Sequence, residues 1–296
     1  MHIFGIEICT GWNHNDPDKS SDTTYEFRFA LETDNSVSDV EFLTPAGSIF
    51  QIPNDFYTKS DNIETWHYAT ETSPLDMPPT DLAAHWKMDD NVATTTVVDC
   101  SDRGHHGTTK RHTTALTTVG MIDNALSFNG ISDYISVPDN ADWTFSDDFT
   151  IALWVKFNTF NPKWWESAFI GHDEGPYQAN KWIFSYDTGD SKTLFHINYP
   201  GANGPIIKGN QWAAQAGVWY FIAVTRSGST YTFYREGISD GAQSDGTAIP
   251  DASAPLTIGW AEEYATFDGA LDDVRIYNRA LSAAEITALY DERFGP

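Results

Sequence analysis

Residues 162–212 gather the side-chain types that recognise sugars. Trp164, Trp165, Tyr177 and Trp182 supply flat apolar rings, and His172, Asp173, Asn180 and Lys181 supply directed hydrogen bonds. Saccharides present both C–H faces and hydroxyls, so rings beside polar side chains form the complementary surface. Trp182 and Phe184 alternate with Ile183 and Ser185, so one of the two series faces a core. Trp164, Trp165 and Tyr177 fall in loop-like sequence, where a ring can stay at the surface. The same stretch holds Asp173 and Glu174, and residues 260–267 add Glu262 and Glu263. Glycoside hydrolysis needs two carboxylates roughly 5–10 Å apart, so these four are the candidate catalytic acids. No motif singles out a pair. The chain has no His-Glu-x-x-His, no Gly-x-Ser-x-Gly and no phosphate-cradling glycine loop.

A second chemical feature lies in residues 267–286, FDGALDDVRIYNRALSAAEI. Residues 271–277 alternate as a strand. One face carries Leu271, Asp273, Arg275 and Tyr277; the other carries Asp272, Val274 and Ile276. Asp272 therefore shares a face with apolar neighbours. A carboxylate there needs a partner: a bound cation, a buried arginine or backbone amides. The strand leads into a helix start. Ser282 is the N-cap, Glu285 its reciprocal partner, and Leu281 and Ile286 occupy the staple positions.

The elements that must position these residues are strands. Segments 23–31, 37–43, 48–52 and 64–69 read as strands of a small antiparallel β unit over residues 1–73, with a turn at 44–47. Pro74, Pro78 and Pro79 stiffen a linker over residues 74–81. Residues 82–296 then show strands at regular spacing, separated by Gly, Asn and Asp turns. Aromatics at 14% and hydrophobic residues at 41% supply a large core, and long helical patterns are scarce. The fold class is all-β.

Taken in order, several pieces resemble the laminin-G-like, concanavalin A-type jelly rolls over about residues 82–294. They are WKMDD at 86–90, DCSDRGHHG at 99–107, ALSFNGISDYISVP at 125–138, FTIALWV at 149–155, WYFIAVTRSGSTYTFYREG at 219–237 and the closing run 267–286. The resemblance implies an antiparallel two-sheet sandwich with a structural calcium on its convex side. The implied ligands are Asp272, the backbone of Asn129 or Gly130, and Asp89 or Asp90. The run GHDEGPYQANKWIFSY is similar to a variant found beside glycan-degrading enzymes, in which an Asn-Lys-Trp strand lines the sheet surface. Glycosidase relatives carry a Glu-x-Asp-x-x-Glu strand, which is absent here. Lyase relatives pair Tyr and His with an Arg or Gln; His172, His196, Tyr177, Tyr199 and Arg275 are of those types without forming a motif. His105 and His106 beside Asp102 are of metal-binding type, but the family pattern makes their segment a plain loop.

A formal net charge of −25 repels phosphate backbones and anionic membranes, so nucleic acid is excluded as a partner class. Polyanionic glycans are disfavoured too, unless a local basic pocket overrides the field. No apolar run is long enough to span a bilayer. Cys9 and Cys100, the two cysteines, form either a disulfide or two buried thiols. The first residues, MHIFGIEICTGWNH, lack the basic segment of a signal peptide, which leaves room for further domains of a parent protein. The expectation is a carbohydrate-binding module of an extracellular or cell-surface glycan-processing protein, with an oligo- or polysaccharide as partner. The alternatives are a glycoside hydrolase or polysaccharide lyase, and an adhesion domain that binds protein.

Overall fold

The computed structural model describes residues 40–43, 49–52, 81–146, 148–160, 166–177, 179–263 and 265–294. The chain divides into two compact units, Met1–Met77 and Pro78–Gly295. In the first, β1 (Val40–Leu43) and β2 (Ile49–Ile52) pair as an antiparallel hairpin. The expected strands at 23–31 and 64–69 lie outside the described residues, as do Cys9 and nearly all of the proline linker. Cys100 is disulfide-bonded.

The second unit is a two-sheet jelly roll. Its strands are β3 (Leu82–Trp86), β4 (Thr96–Val97), β5 (Gly107–Thr109), β6 (Thr117–Val119), β7 (Asn124–Asn129), β8 (Ile135–Val137), β9 (Phe149–Phe157), β10 (Glu166–Asp173) and β11 (Lys181–Asp187). There follow β12 (Lys192–Tyr199), β13 (Ala202–Gln211), β14 (Trp219–Ser227), β15 (Thr230–Arg235), β16 (Ile238–Ser244), β17 (Leu256–Ile258), β18 (Trp260–Ala261), β19 (Ala265–Thr266) and β20 (Asp268–Tyr277). One sheet runs β13-β12-β11-β10-β17-β8-β5-β4. The other runs β16-β15-β14-β9-β20-β7-β6, with β3 also on β20. The pairings are antiparallel, so each strand can bury one face and leave the other for function.

The inner faces meet in an aromatic core. Phe149 stacks on Phe145, Trp182 on Phe195, and Phe157 meets Phe169, Tyr186 and Phe267. This settles the ambiguity on β11: Trp182, Phe184 and Tyr186 face the core, while Lys181, Ile183 and Ser185 face outward. After β20 the chain enters α1 (Ala283–Asp291) through the expected capping box, with both reciprocal bonds of Ser282 and Glu285 present. Leu281 and Ile286 are buried at the staple positions. Asp99 organises the loop before β5 by accepting from the amides of His85, Ser101 and His105 and from the Ser101 hydroxyl.

Strand β20 departs from simple alternation. A bulge between Asp272 and Arg275 leaves Asp273 at φ +51°. Leu271, Val274 and Ile276 all reach the inter-sheet core. Asp272 lies opposite Trp154, on the other face, and is still fully buried. The expected grouping of Asp272 with Val274 and Ile276 is thus corrected by the extra residue. Asp273 turns into a buried charge cluster. Its carboxylate meets His85 Nε2 at 2.5 Å and Arg275 Nη2 at 3.0 Å, and Arg275 also holds Glu292. Burial works against the Asp273 anion, but Arg275 and His85 together hold its pKa well below the usual carboxylate range.

Burial, and next the Arg275 charge, lower the His85 pKa below its ordinary 6.5, against the opposing pull of Asp273 and Glu292. The neutral ring is therefore the native form. Its contribution to stability is complete above the unfolded pKa and is lost as pH falls below it. Between about pH 7 and about pH 5, thermal unfolding of the wild type shifts down more than that of His85→Gln; parallel shifts in the two proteins would contradict this.

Candidate functional site

Strands β10 and β11 end and begin on a directly opposed pair, Asp173 and Lys181. Both side chains point to the outer face of their sheet. The β18–β19 hairpin folds over this face, packing Ala261 and Ala265 on Ala168 and Ile183. Under that cover Lys181 is completely buried. Its ammonium bonds the Gly175 carbonyl at 2.6 Å and the Glu262 carboxylate, and lies 3.5 Å from Asp173 Oδ1. Asp173 closes the network, accepting the Gly175 amide at 2.8 Å and the Glu262 amide at 2.6 Å. An isolated buried ammonium would cost many kcal/mol; two carboxylates and a carbonyl offset that cost, and removing one partner of such a set costs about 3–5 kcal/mol. Burial raises the Asp173 pKa, with Lys181 pulling the other way.

The network clamps the loop at 174–180 from below, and three further bonds hold it from the side. Glu174 accepts the Ser253 amide at 2.9 Å and Asn180 Nδ2 at 3.2 Å, which keeps its pKa low. Asn198, across from Lys181 on β12, donates to the Tyr177 carbonyl at 3.0 Å. The loop delivers Tyr177 to solvent with 77% of its surface exposed, at φ +65°. Glu262 and Glu263, at the facing hairpin tip, also have positive φ, +53° and +62°. Such conformations cost about 1–3 kcal/mol each and persist where surrounding contacts over-determine them.

The structure thus brings Asp173, Glu174, Tyr177, Asn180, Lys181 and Glu262 together, with exposed Glu263 beside them. Two sequence candidates are corrected. His172 and Trp182 are opposed on the inner face of the sheet and fully buried. His172 Nε2 contacts the Ala254 carbonyl at 2.8 Å, and Trp182 donates to the Trp143 carbonyl at 3.0 Å. Strand alternation that puts Lys181 outside puts its neighbour inside. Trp164 and Trp165 lie outside the described residues. One feature escaped the sequence reading: Tyr134 and Trp260, both half-buried, meet edge-on at 4.7 Å with Lys110 Nζ 4.7 Å from the Tyr134 ring. The alternation of Tyr134 with Ser136 against buried Ile135 and Val137 was its available signal.

The expected calcium ligands do not all converge. Asp272 Oδ2 accepts the Met121 and Ile122 amides at 2.7 and 2.9 Å. The turn approaches so closely that a Cβ on Gly120 would sit 2.7 Å from that oxygen. Oδ1 is buried with no hydrogen-bond partner. Burial pushes the Asp272 pKa up to about 8, and the Asp273 charge and, less, the Asp89 charge add to the rise; Asp89 itself accepts the Asn124 amide at 2.8 Å. Asn129 pairs with Asp268, four residues from Asp272, or about 13 Å along a strand. Its Oδ1 caps the 131–133 amides, and the Gly130 carbonyl takes the Thr266 hydroxyl. Asp90 turns to the Val98 amide. Asp272 and Asp89 fit a cation in charge and in one orphaned oxygen; Asn129, Gly130 and Asp90 do not join them. Among the described residues no group of three His, Cys, Asp or Glu side chains could hold a metal.

No curated protein matches the sequence. Among solved structures, domain 4 of an extracellular arabinanase from Geobacillus stearothermophilus, in complex with arabinotriose, is similar at 22% identity and a TM-score of 0.56, covering 71% of this chain and 98% of that one. The binding domain of Paraclostridial mosquitocidal protein 1 is similar at 18% identity and TM-score 0.56, covering 73% of this chain and 53% of that one. The binding domain of botulinum neurotoxin serotype D is similar at 14% identity and TM-score 0.55, covering 72% of this chain and 52% of that one. These likenesses concern the fold. A family profile described as the concanavalin A-like lectin/glucanases superfamily matches residues 129–287, more than half of the chain. With the two antiparallel sheets described above, that match makes the chain a member of the concanavalin A-like lectin/glucanases superfamily.

Proposed function

We propose that the jelly roll is a carbohydrate-binding module whose 174–180 loop offers Tyr177 to an oligo- or polysaccharide. The observation that carries this reading is an exposed aromatic ring on a strained backbone that buried charges and five loop hydrogen bonds hold in place. Nothing in the core requires that ring to be there. A ring fixed before binding loses little entropy when a sugar stacks on it. Asn180 and the Glu174 carboxylate beside it supply hydrogen-bonding groups. The arabinanase domain bound to arabinotriose shares the fold, which supports a saccharide as the ligand class.

Binding is favoured over hydrolysis by how three of the four candidate acids are used. Asp173 spends both oxygens on backbone amides, and Asp173 and Glu262 share the Lys181 ammonium. Glu174 is engaged by Ser253 and Asn180. A general acid and a nucleophile both need access to the glycosidic bond. An extracellular or cell-surface location belongs to the same reading, supported by the disulfide at Cys100. Calcium remains part of the proposal as a structural ion held by Asp272 and Asp89.

On a panel of immobilised polysaccharides the chain is retained by at least one neutral glycan, and Tyr177→Ala weakens that retention by about tenfold without altering the melting temperature. Unchanged retention in that variant would remove the reading. Release of reducing ends that disappears in Glu262→Gln would replace it with the hydrolase. For the ion, millimolar calcium raises the wild-type melting temperature by about 5 °C and leaves Asp272→Asn unmoved; a wild type indifferent to calcium would contradict that assignment.

A further inference from the structure

The outer face that carries Asp173 and Lys181 continues beyond the β18–β19 hairpin, because β17, β8, β5 and β4 follow β10 in the same sheet. Their register sets Thr257 opposite Ser136, Ser136 opposite Thr108, and Thr108 opposite Thr96. The flanking residues Leu256, Ile258, Ile135, Val137 and Val97 belong to the inter-sheet core, so alternation turns all four hydroxyls outward in one row. Thr96 and Thr108 are exposed, and Ser136 and Thr257 half-buried. At about 4.8 Å per strand, the row spans roughly 14 Å. The Thr257 hydroxyl donates to the Trp260 carbonyl at 2.7 Å. Among the described residues none bonds the other three hydroxyls.

Lys110 lies two residues on from Thr108, and Tyr134 two residues before Ser136, so both stand on the same face beside the row. Trp260 meets Tyr134 edge-on there at 4.7 Å. Lys110 Nζ is 4.7 Å from the Tyr134 ring centre and 5.5 Å from that of Trp260. The ammonium and the neighbouring ring hold the indole at a set angle. Both rings are half-buried, so part of each reaches solvent. Among the described residues none partners the Trp260 indole N–H or the Tyr134 hydroxyl, and no carboxylate pairs with Lys110, in a chain of 42 acidic residues. Strand propensity accounts for threonines on an exposed face. It does not account for two large rings and an unpaired ammonium along their side.

We propose that this part of the face is a second saccharide subsite, for a neutral glycan chain that crosses the strands along the hydroxyl row and stacks on the Trp260 ring. An extended chain of equatorially linked pyranoses repeats at close to the strand spacing, so successive sugars meet successive hydroxyls. The indole N–H, the Tyr134 hydroxyl and the Lys110 ammonium donate to sugar oxygens at the edge of the stack. The net charge of −25 favours a neutral chain over a uronate polymer. The ligand class rests on the saccharide reading above; the subsite does not depend on Tyr177.

The test is a calorimetric titration of the full chain with cellohexaose, which is extended, maltohexaose, which curves, and cellobiose, which is too short to follow the row. Cellohexaose binds the wild type, and the other two bind at least about tenfold more weakly. Trp260→Ala weakens cellohexaose by about tenfold or more. Thr108→Val and Lys110→Gln, at exposed positions, each weaken it by about threefold and leave the melting temperature unchanged. These two surface variants decide the matter should Trp260→Ala disturb the hairpin. No cellohexaose binding, maltohexaose or cellobiose binding as tight as cellohexaose, or full affinity in both surface variants would each overturn the proposal. Cellohexaose binding that weakens in Thr108→Val and Lys110→Gln but not in Tyr177→Ala would leave this subsite standing and remove the Tyr177 reading; weakening in Tyr177→Ala alone would do the reverse.

Discussion

One ammonium group, buried where two strand ends meet, determines what the candidate site can be. Lys181 ties the 174–180 loop to the β18–β19 hairpin through Gly175, Asp173 and Glu262. None of these contacts touches solvent freely. In water an exposed ion pair would contribute little, about 0–1 kcal/mol. Under the hairpin the same charges cannot be separated without leaving one unpaired, so the loop and the tip move together or not at all. That coupling explains how three non-glycine residues, Tyr177, Glu262 and Glu263, can stay at positive φ. The strain is local, and the ionic network that holds it is buried.

The same rule, that a buried charge needs a partner, separates the two aspartates of β20. The bulge sends Asp273 to Arg275 and His85, where attraction outweighs desolvation. It sends Asp272 to two backbone amides and leaves one oxygen over, and there desolvation wins. Adjacent carboxylates in one strand thus end at opposite extremes of acidity. Arg226 is the cationic counterpart of Asp272: a charge carried into the sandwich by strand alternation and left with donors to spare.

Much of this was legible in the sequence. The capping box at Ser282 and Glu285 follows from local rules and forms as expected. The all-β class and the jelly roll follow from strand spacing and from motifs that each encode a turn or a pairing. The site was legible only in part. Asp173, Glu174, Glu262 and the 260–267 segment that brings Glu262 to them could be named, but not the closure of that segment over Lys181, because a contact spanning 81 residues leaves no local signal. The alternation on β11 was visible without its direction: Trp182 and Ile183 are equally apolar, and only the opposing sheet decides which faces the core. The bulge at Asp273 was hidden because no glycine or proline marks it. Asn129 and Gly130 failed as partners of Asp272 because register, not motif order, sets distance across a sheet.

The central claim is that Lys181 pre-forms the loop that presents Tyr177. Amide hydrogen exchange of Gly175 and Glu262, whose N–H groups both bond Asp173, tests it most directly when wild type and Lys181→Met are compared. The account predicts that both amides lose protection together, by about tenfold or more, while the amide of Phe184 in the same sheet keeps its own. Wild-type protection at Gly175 and Glu262 in the variant would contradict it.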